Sequence, residues 1–169
     1  MPFNNDELRK IRLLVTDIDG VLTDAGMYYL ESGGEAKKFN TRDGMGIVIL
    51  REEEGIETVF MTRERNDIVT QRAKKLGIRH CYQGVMDKVD ALKKLLVELD
   101  IKPSETAYVG DDVNDLEALK LVGFSFCPAD AEDEIKAVVK HVCSKKGGEG
   151  VVREIANMII RARREKLTR

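Results

Sequence analysis

The sequence predicts a Rossmann-like, doubly wound α/β fold: a parallel sheet in a three-layer arrangement, with a projecting β-hairpin. Three observations carry this expectation. Short apolar runs alternate along the chain with segments of helical period. The runs are apolar throughout, as strands are when helices cover both faces of a sheet. Several of them end in Asp, Gly or Thr, and in open α/β sheets the chemistry gathers at the carboxyl ends of the strands.

The elements follow in order. Residues 11–16 (Ile-Arg-Leu-Leu-Val-Thr) form a buried strand that runs into Asp17-Ile18-Asp19-Gly20. Residues 57–61, introduced by Gly55, make a second strand, residues 80–82 a third, residues 106–109 a fourth stopped by Gly110, and residues 124–126 a fifth stopped by Pro128. Helical periods cover residues 44–54, 67–76, 88–99 and 116–121. One segment breaks the alternation: residues 27–30 and 36–39 flank Glu-Ser-Gly-Gly-Glu, the pattern of a hairpin with a glycine turn. An isolated hairpin is marginal in water, so one with exposed Tyr and Phe needs a packing partner, for which a neighbouring subunit is a good fit. The basic residues between 161 and 169 suit the C-terminal end of a last helix.

With 169 residues the chain has room for one domain with a real core, spanning 1–169. A net charge of -2 argues against a nucleic-acid partner, which would call for a basic surface. No apolar stretch is long enough to span a bilayer, and the first residues do not read as a secretory signal, so the expected location is cytoplasmic, with no membrane partner. Cys81, Cys127 and Cys143 are odd in number and lack zinc-site spacing; they read as small buried hydrophobes in a reducing compartment.

Four sets of residues carry candidate chemistry. Strand alternation puts Asp17 and Asp19 on one face, and two adjacent carboxylates require a cation or a shared proton. An Asx turn would account for one Asp and for Gly20, but not for both acids. Gly110-Asp111-Asp112-Val113-Asn114-Asp115 follows another core strand and holds more acid than a helix cap needs. Parallel strand ends can bring Asp111 beside Asp17 and Asp19, and such oxygen ligands favour Mg²⁺. Thr62 ends a strand and could donate to a phosphoryl oxygen; by itself it is an ordinary turn residue. Lys88 opens a helix against the macrodipole, which hints at function, although alone it is an ordinary surface lysine. Together they supply the nucleophile, partner acid, hydroxyl, cation and metal-binding acids that phosphoryl transfer requires.

Over nearly its whole length the chain resembles the haloacid dehalogenase superfamily. Asp17-Ile18-Asp19-Gly20-Val21-Leu22-Thr23-Asp24 is similar to its first motif, Thr62 to its second, Lys88 to its third, and the Gly110–Asp115 stretch to its fourth. Residues 38–44, 82–88 and 147–154 are similar to its small, capless phosphatases of phosphorylated eight- and nine-carbon sugar acids, which are usually homotetramers joined through their hairpins. The second motif departs from the pattern: Arg63 stands where glycine is usual, followed by Glu64 and Arg65. Glu64 and Gly147–Gly150 tilt the substrate toward a nine-carbon nonulosonate or neuraminate 9-phosphate, with 3-deoxy-D-manno-octulosonate 8-phosphate as the alternative.

The resemblance implies roles. Asp17 attacks phosphorus and forms an aspartyl-phosphate, while Asp19 protonates the leaving oxygen and then deprotonates water. Asp17, the Asp19 backbone carbonyl and Asp111 hold Mg²⁺. Thr62 and Lys88 hold the phosphoryl group, Asp112 and Asp115 orient Lys88 or metal-bound water, and Arg42, Arg63, Glu64 and Arg65 meet the sugar acid. Two other classes compete. A receiver domain also forms an aspartyl-phosphate, but carries its acid pair after the first strand and its phosphorylated Asp later. A non-catalytic oligomerisation domain of the same fold typically lacks acids that this chain keeps.

Overall fold

The structure, a computed structural model, describes residues 3–165. The chain runs α1 (Asn5–Leu8), β1 (Leu13–Thr16), β2 (Tyr28–Tyr29), β3 (Glu35–Ala36), α2 (Thr41–Glu54), β4 (Glu57–Met61), α3 (Asp67–Leu76), β5 (His80–Tyr82), α4 (Lys88–Glu98), β6 (Thr106–Val109), α5 (Leu116–Leu121), β7 (Phe124–Cys127), α6 (Asp133–Lys136), β8 (His141–Val142) and α7 (Val151–Arg164). Residues 166–169 of the expected basic end lie outside the described residues.

The main sheet has the order β5-β4-β1-β6-β7-β8, and its ladders are parallel. The chain leaves β1 toward β4 and β5, then returns to the other side of β1 with β6. This reversal opens a crevice at the carboxyl ends of β1 and β6, the place where such sheets bind ligands. Register aligns the two ends: Thr16 pairs with Phe60 on one side and Val109 on the other.

Alternation along the strands builds two cores. Leu13 and Val15 of β1, with Val59, Met61 and Tyr108, pack against Leu92, Leu95, Ala118, Leu119 and Ile135 on the α4–α6 side. Leu14, Phe60, Ala107 and Phe126 face Leu8, Ile47, Leu50, Val69, Ile155 and Ile159 on the other. Burying each such side chain contributes about 1.5–3 kcal/mol, so the sheet holds its strand ends rigidly. Cys127 and Cys143 are buried and Cys81 half-buried, all as free thiols. No helix among the described residues is long and apolar enough to cross a membrane.

The structure departs from the expected elements in three places. The hairpin ladder is shorter, pairing only Tyr28–Tyr29 with Glu35–Ala36. Lys37 and Lys38 leave the ladder because acids in the loop after β1 capture them, and Phe39 packs on the core under the Arg72 guanidinium, 5.4 Å from its ring. Helix α2 begins at Thr41, since Asn40 accepts from the Arg42 amide at 2.9 Å and so caps a first turn that has no apolar period. The sequence reading misses α1, α6 and β8, which are too short to carry a period.

Helix α7 begins after Gly150, which brings no capping side chain. Its cap comes from α2 instead: buried Asp43 accepts from the Arg153 amide at 2.8 Å. The turn before α7 lies against the loop after β1. A Cβ on Gly147 would sit 2.0 Å from the Gly20 carbonyl oxygen, so only glycine permits this approach. Gly147→Ala is therefore expected to displace the Asp19–Thr23 loop and cost about 2–3 kcal/mol, as overpacking does. Denaturant unfolding checks it, and an unchanged midpoint would mean that the turn yields freely.

Candidate active site

The carboxyl ends of β1, β4 and β6 and the start of α4 converge in the crevice. Asp17 continues β1, its amide donating to the Val109 carbonyl at 3.0 Å, so the strand ladder fixes its backbone. Its Oδ1 accepts from the Ile18 amide at 2.8 Å, which aims Oδ2 at the Lys88 ammonium, 3.1 Å away. Lys88 also donates to Asp115 Oδ1 at 2.6 Å, and that oxygen accepts from the Tyr108 hydroxyl at 2.7 Å as well. Asp17, Lys88 and Asp115 are all buried.

Thr62 extends β4, its amide donating to the Tyr82 carbonyl at 2.9 Å. Its hydroxyl oxygen accepts from the Glu64 amide at 3.1 Å, which leaves the hydroxyl proton free to point into the crevice. Asp111 is half-buried after β6. Its backbone amide meets Asp115 Oδ2 at 3.3 Å, and its own Oδ1 is buried without a partner. Gly20, at φ 87°, lies under Asp111: a Cβ there would fall 1.9 Å from Asp111 Oδ2.

The electrostatics of the site favour a bound cation. Burial, with repulsion from Asp115 and Asp111, holds the Asp17 carboxyl well above its ordinary range despite Lys88. Burial and Asp115 push Asp111 to about 7. Burial lowers Lys88, but Asp17 and Asp115 more than offset this and keep it an ammonium. Ligand oxygens of Asp17, Asp111 and Asp115 lie within 4.8 Å of one another, and the buried Lys88 ammonium pairs with two of these residues. Three carboxylates and one cation leave two negative charges, which a divalent ion would balance. The all-oxygen donor set and the orphaned Asp111 Oδ1 fit a hard cation such as Mg²⁺.

The structure therefore brings together Asp17, Thr62, Lys88, Asp111 and Asp115 of the expected set. Asp19 is half-buried beside them and ion-pairs with Lys37. Asp112 does not reach Lys88. It is exposed, and its carboxylate accepts from the Val113 amide at 2.6 Å to cap the turn.

The four expected sugar-acid contacts are divided rather than assembled. Arg42 lines a cleft between α2 and α7 with Glu149 and Arg153. Arg65 lies over Gly84 and lines a cleft with Glu35, Asn66 and Gln83, between the hairpin and the loop after β4. Arg63 and Glu64 are exposed on that loop. Arg63 is not among the residues at positive φ, so its position does not demand glycine. Sequence reasoning missed Lys37 and Tyr108. Tyr108 carried a faint signal, a polar tip inside an apolar central strand; Lys37 looked like any hairpin lysine.

Comparison with known proteins agrees with this geometry. The profile of the haloacid dehalogenase-like hydrolases matches residues 33–155. The chain is 41% identical over 152 residues to the 3-deoxy-D-manno-octulosonate 8-phosphate phosphatase of Yersinia pestis, covering 90% of this chain and 81% of the relative. It is 39% identical over 164 residues to that of Escherichia coli K12, covering 95% and 87%. The crystal structure of the Yersinia pestis phosphatase superposes with a TM-score of 0.92 at 38% identity, covering 95% of this chain and 86% of that one. The phosphatase of Moraxella catarrhalis, solved with a magnesium ion, a phosphate ion and a KDO molecule, superposes with a TM-score of 0.90 at 37% identity, covering 94% and 90%.

Proposed function

Because the chain belongs to the haloacid dehalogenase-like hydrolase family, we propose that it is a Mg²⁺-dependent phosphatase of 3-deoxy-D-manno-octulosonate 8-phosphate. The observation that carries the chemistry is the buried Asp17–Lys88–Asp115 chain beside Asp111 at the strand ends, two charges short of balance. For the substrate, the relatives support the eight-carbon acid over the nine-carbon acid suggested by Glu64.

Asp17 Oδ2 attacks phosphorus, and the bond to the sugar oxygen breaks as the bond to Asp17 forms. Lys88 holds the attacking carboxylate and neutralises phosphoryl oxygens, and the Thr62 hydroxyl donates to one of them. Asp19 gives its proton to the leaving oxygen, then takes one from the water that frees Asp17. Asp115, held by the Tyr108 hydroxyl, keeps Lys88 in place. The Asp17 and Asp111 carboxylates with the Asp19 carbonyl would hold Mg²⁺, which supplies charge neutralisation for the phosphoryl group.

Arg65 is the cation best placed to meet the substrate carboxylate, because it borders the cleft beside the Thr62 loop. Self-association is part of the proposal. Met27, Tyr28, Tyr29 and Leu30 are all about half exposed or more, an apolar face that supports contact between hairpins in a homotetramer.

The test is phosphate release with Mg²⁺ from a panel of octulosonate 8-phosphate, nonulosonate and neuraminate 9-phosphates, and simple sugar phosphates. A preference of about tenfold or more for the eight-carbon ester is expected, the scale that one misplaced group commonly carries. Preference for a nine-carbon ester would restore the reading from Glu64. Absence of release from every ester would remove the phosphatase.

A further inference from the structure

The returning leg of the hairpin grips the loop after β1 with two consecutive lysines. Lys38 Nζ pairs with Asp24 Oδ2 at 2.8 Å on the surface. Lys37 turns inward: its side chain is 2% exposed and its ammonium pairs with Asp19 Oδ1. Glu35, two residues earlier, accepts from the Asn66 amide group at 2.7 Å, which ties the same leg to the loop after β4. The leg is thus held on both sides of the crevice, and Lys37 is its inward contact with the acid–base residue. A lysine loses considerable rotamer freedom when it is buried, so this placement is not a default for a hairpin residue.

The pairing distinguishes the two oxygens of Asp19. Lys37 occupies Oδ1, while Oδ2 is buried without a partner. An ammonium has only donors, so the oxygen it contacts must accept.

We propose that Lys37 is a positioning residue for Asp19: by holding Oδ1 it fixes the rotamer in which the acid–base carboxylate meets the leaving group. The proposal rests on the phosphatase reading above. In the first step the P–O bond to Asp17 forms, the ester P–O bond breaks, and the proton carried by Asp19 passes to the departing oxygen. In the second, water attacks phosphorus, the bond to Asp17 breaks, and Asp19 takes up the water's proton. Atoms and charge balance without a further reactant. Because Lys37 follows the hairpin directly, the seating of the hairpin is felt at Asp19 through this one contact.

The experiment compares kcat/KM, which reports the first step, for two esters. Loss of an alkoxide from the best alkyl phosphate of the panel depends on a proton from Asp19, whereas p-nitrophenolate leaves from p-nitrophenyl phosphate without one. Lys37→Met is expected to lower kcat/KM about 30-fold or more for the alkyl ester and less than about threefold for the aryl ester, a share of the usual worth of general acid catalysis. Lys38→Met, which removes the neighbouring surface pair, is expected to leave the ratio of the two esters unchanged. Should Lys37→Met fail to fold, Lys37→Gln carries the same comparison. Equal losses on both esters, no loss on either, or the same change of ratio in Lys38→Met would overturn the proposal. A wild-type enzyme that releases phosphate from no ester would overturn the phosphatase reading instead, so the two failures are distinct.

Discussion

Asp17→Asn is expected to abolish phosphate release while leaving the protein at least as stable as wild type. The amide matches the carboxylate in size but cannot attack phosphorus, so the loss should reach the background of the assay, about 10³-fold or more. The stability half of the result follows from burial. In the absence of a divalent ion, Asp17 shares the crevice with Asp111 and Asp115, and burial already pushes its carboxyl well above the ordinary range. Neutralising it removes a repulsion that Lys88 and the Ile18 amide offset only in part, and Lys88 keeps its shorter contact to Asp115. A rise of about 1 kcal/mol in unfolding free energy, measured in EDTA, is the scale set by functional sites that trade stability for activity. Turnover near the wild-type rate would remove Asp17 as nucleophile. A large drop in stability would mean that the Asp17–Lys88 pair holds the strand ends together.

The reverse outcome is expected at the other end of that pair. Lys88→Met keeps the length and burial of the side chain but removes the ammonium that touches both Asp17 and Asp115. Removing one partner of a buried ion pair leaves uncompensated charge and costs about 3–5 kcal/mol. Here Asp115 is fully buried, and the Tyr108 hydroxyl alone remains to satisfy Oδ1. For a chain of this size the expected fall in Tm is roughly 10 °C in EDTA. Added Mg²⁺ should restore part of it, because a divalent ion would answer the same excess of charge. Activity should be lost under both conditions. Thermal unfolding with and without Mg²⁺ checks the result. An unchanged Tm in EDTA would show that the carboxyls take up protons without strain and that Lys88 serves only the phosphoryl group.

These two variants act on residues that were legible before folding, and the reason is local. Asp17 and Lys88 stand where an apolar run or a turn meets the next element, and strand ends are where doubly wound sheets assemble chemistry. Thr62, Asp111 and Asp115 were legible on the same ground. Asp112 was less legible: its sequence position does not distinguish a carboxylate that caps its own turn, as this one does, from one that turns inward. The sugar-acid contacts were least legible. Arg42 and Arg65 line separate clefts, because α2 and the loop after β4 approach the crevice from different sides.

The sequence by itself determined the parallel sheet, the helices on both faces and the set of acids, hydroxyl and ammonium at the strand ends. Each of these is encoded in periods of two or 3.6 residues or in the residue that ends a strand, and needs no knowledge of distant contacts. Only the tertiary structure decided that Lys37 holds Asp19, that Tyr108 and Lys88 share one oxygen of Asp115, that Asp43 caps α7, and that Gly147 lies against the Gly20 carbonyl. Apart from the short Tyr108–Asp115 link, these contacts join residues far apart in the chain, with no periodic signature between them. They exist because the sheet order places β1 beside β6 and because the hairpin folds back onto the loops after β1 and β4, which is a property of the packed molecule and not of any segment of it.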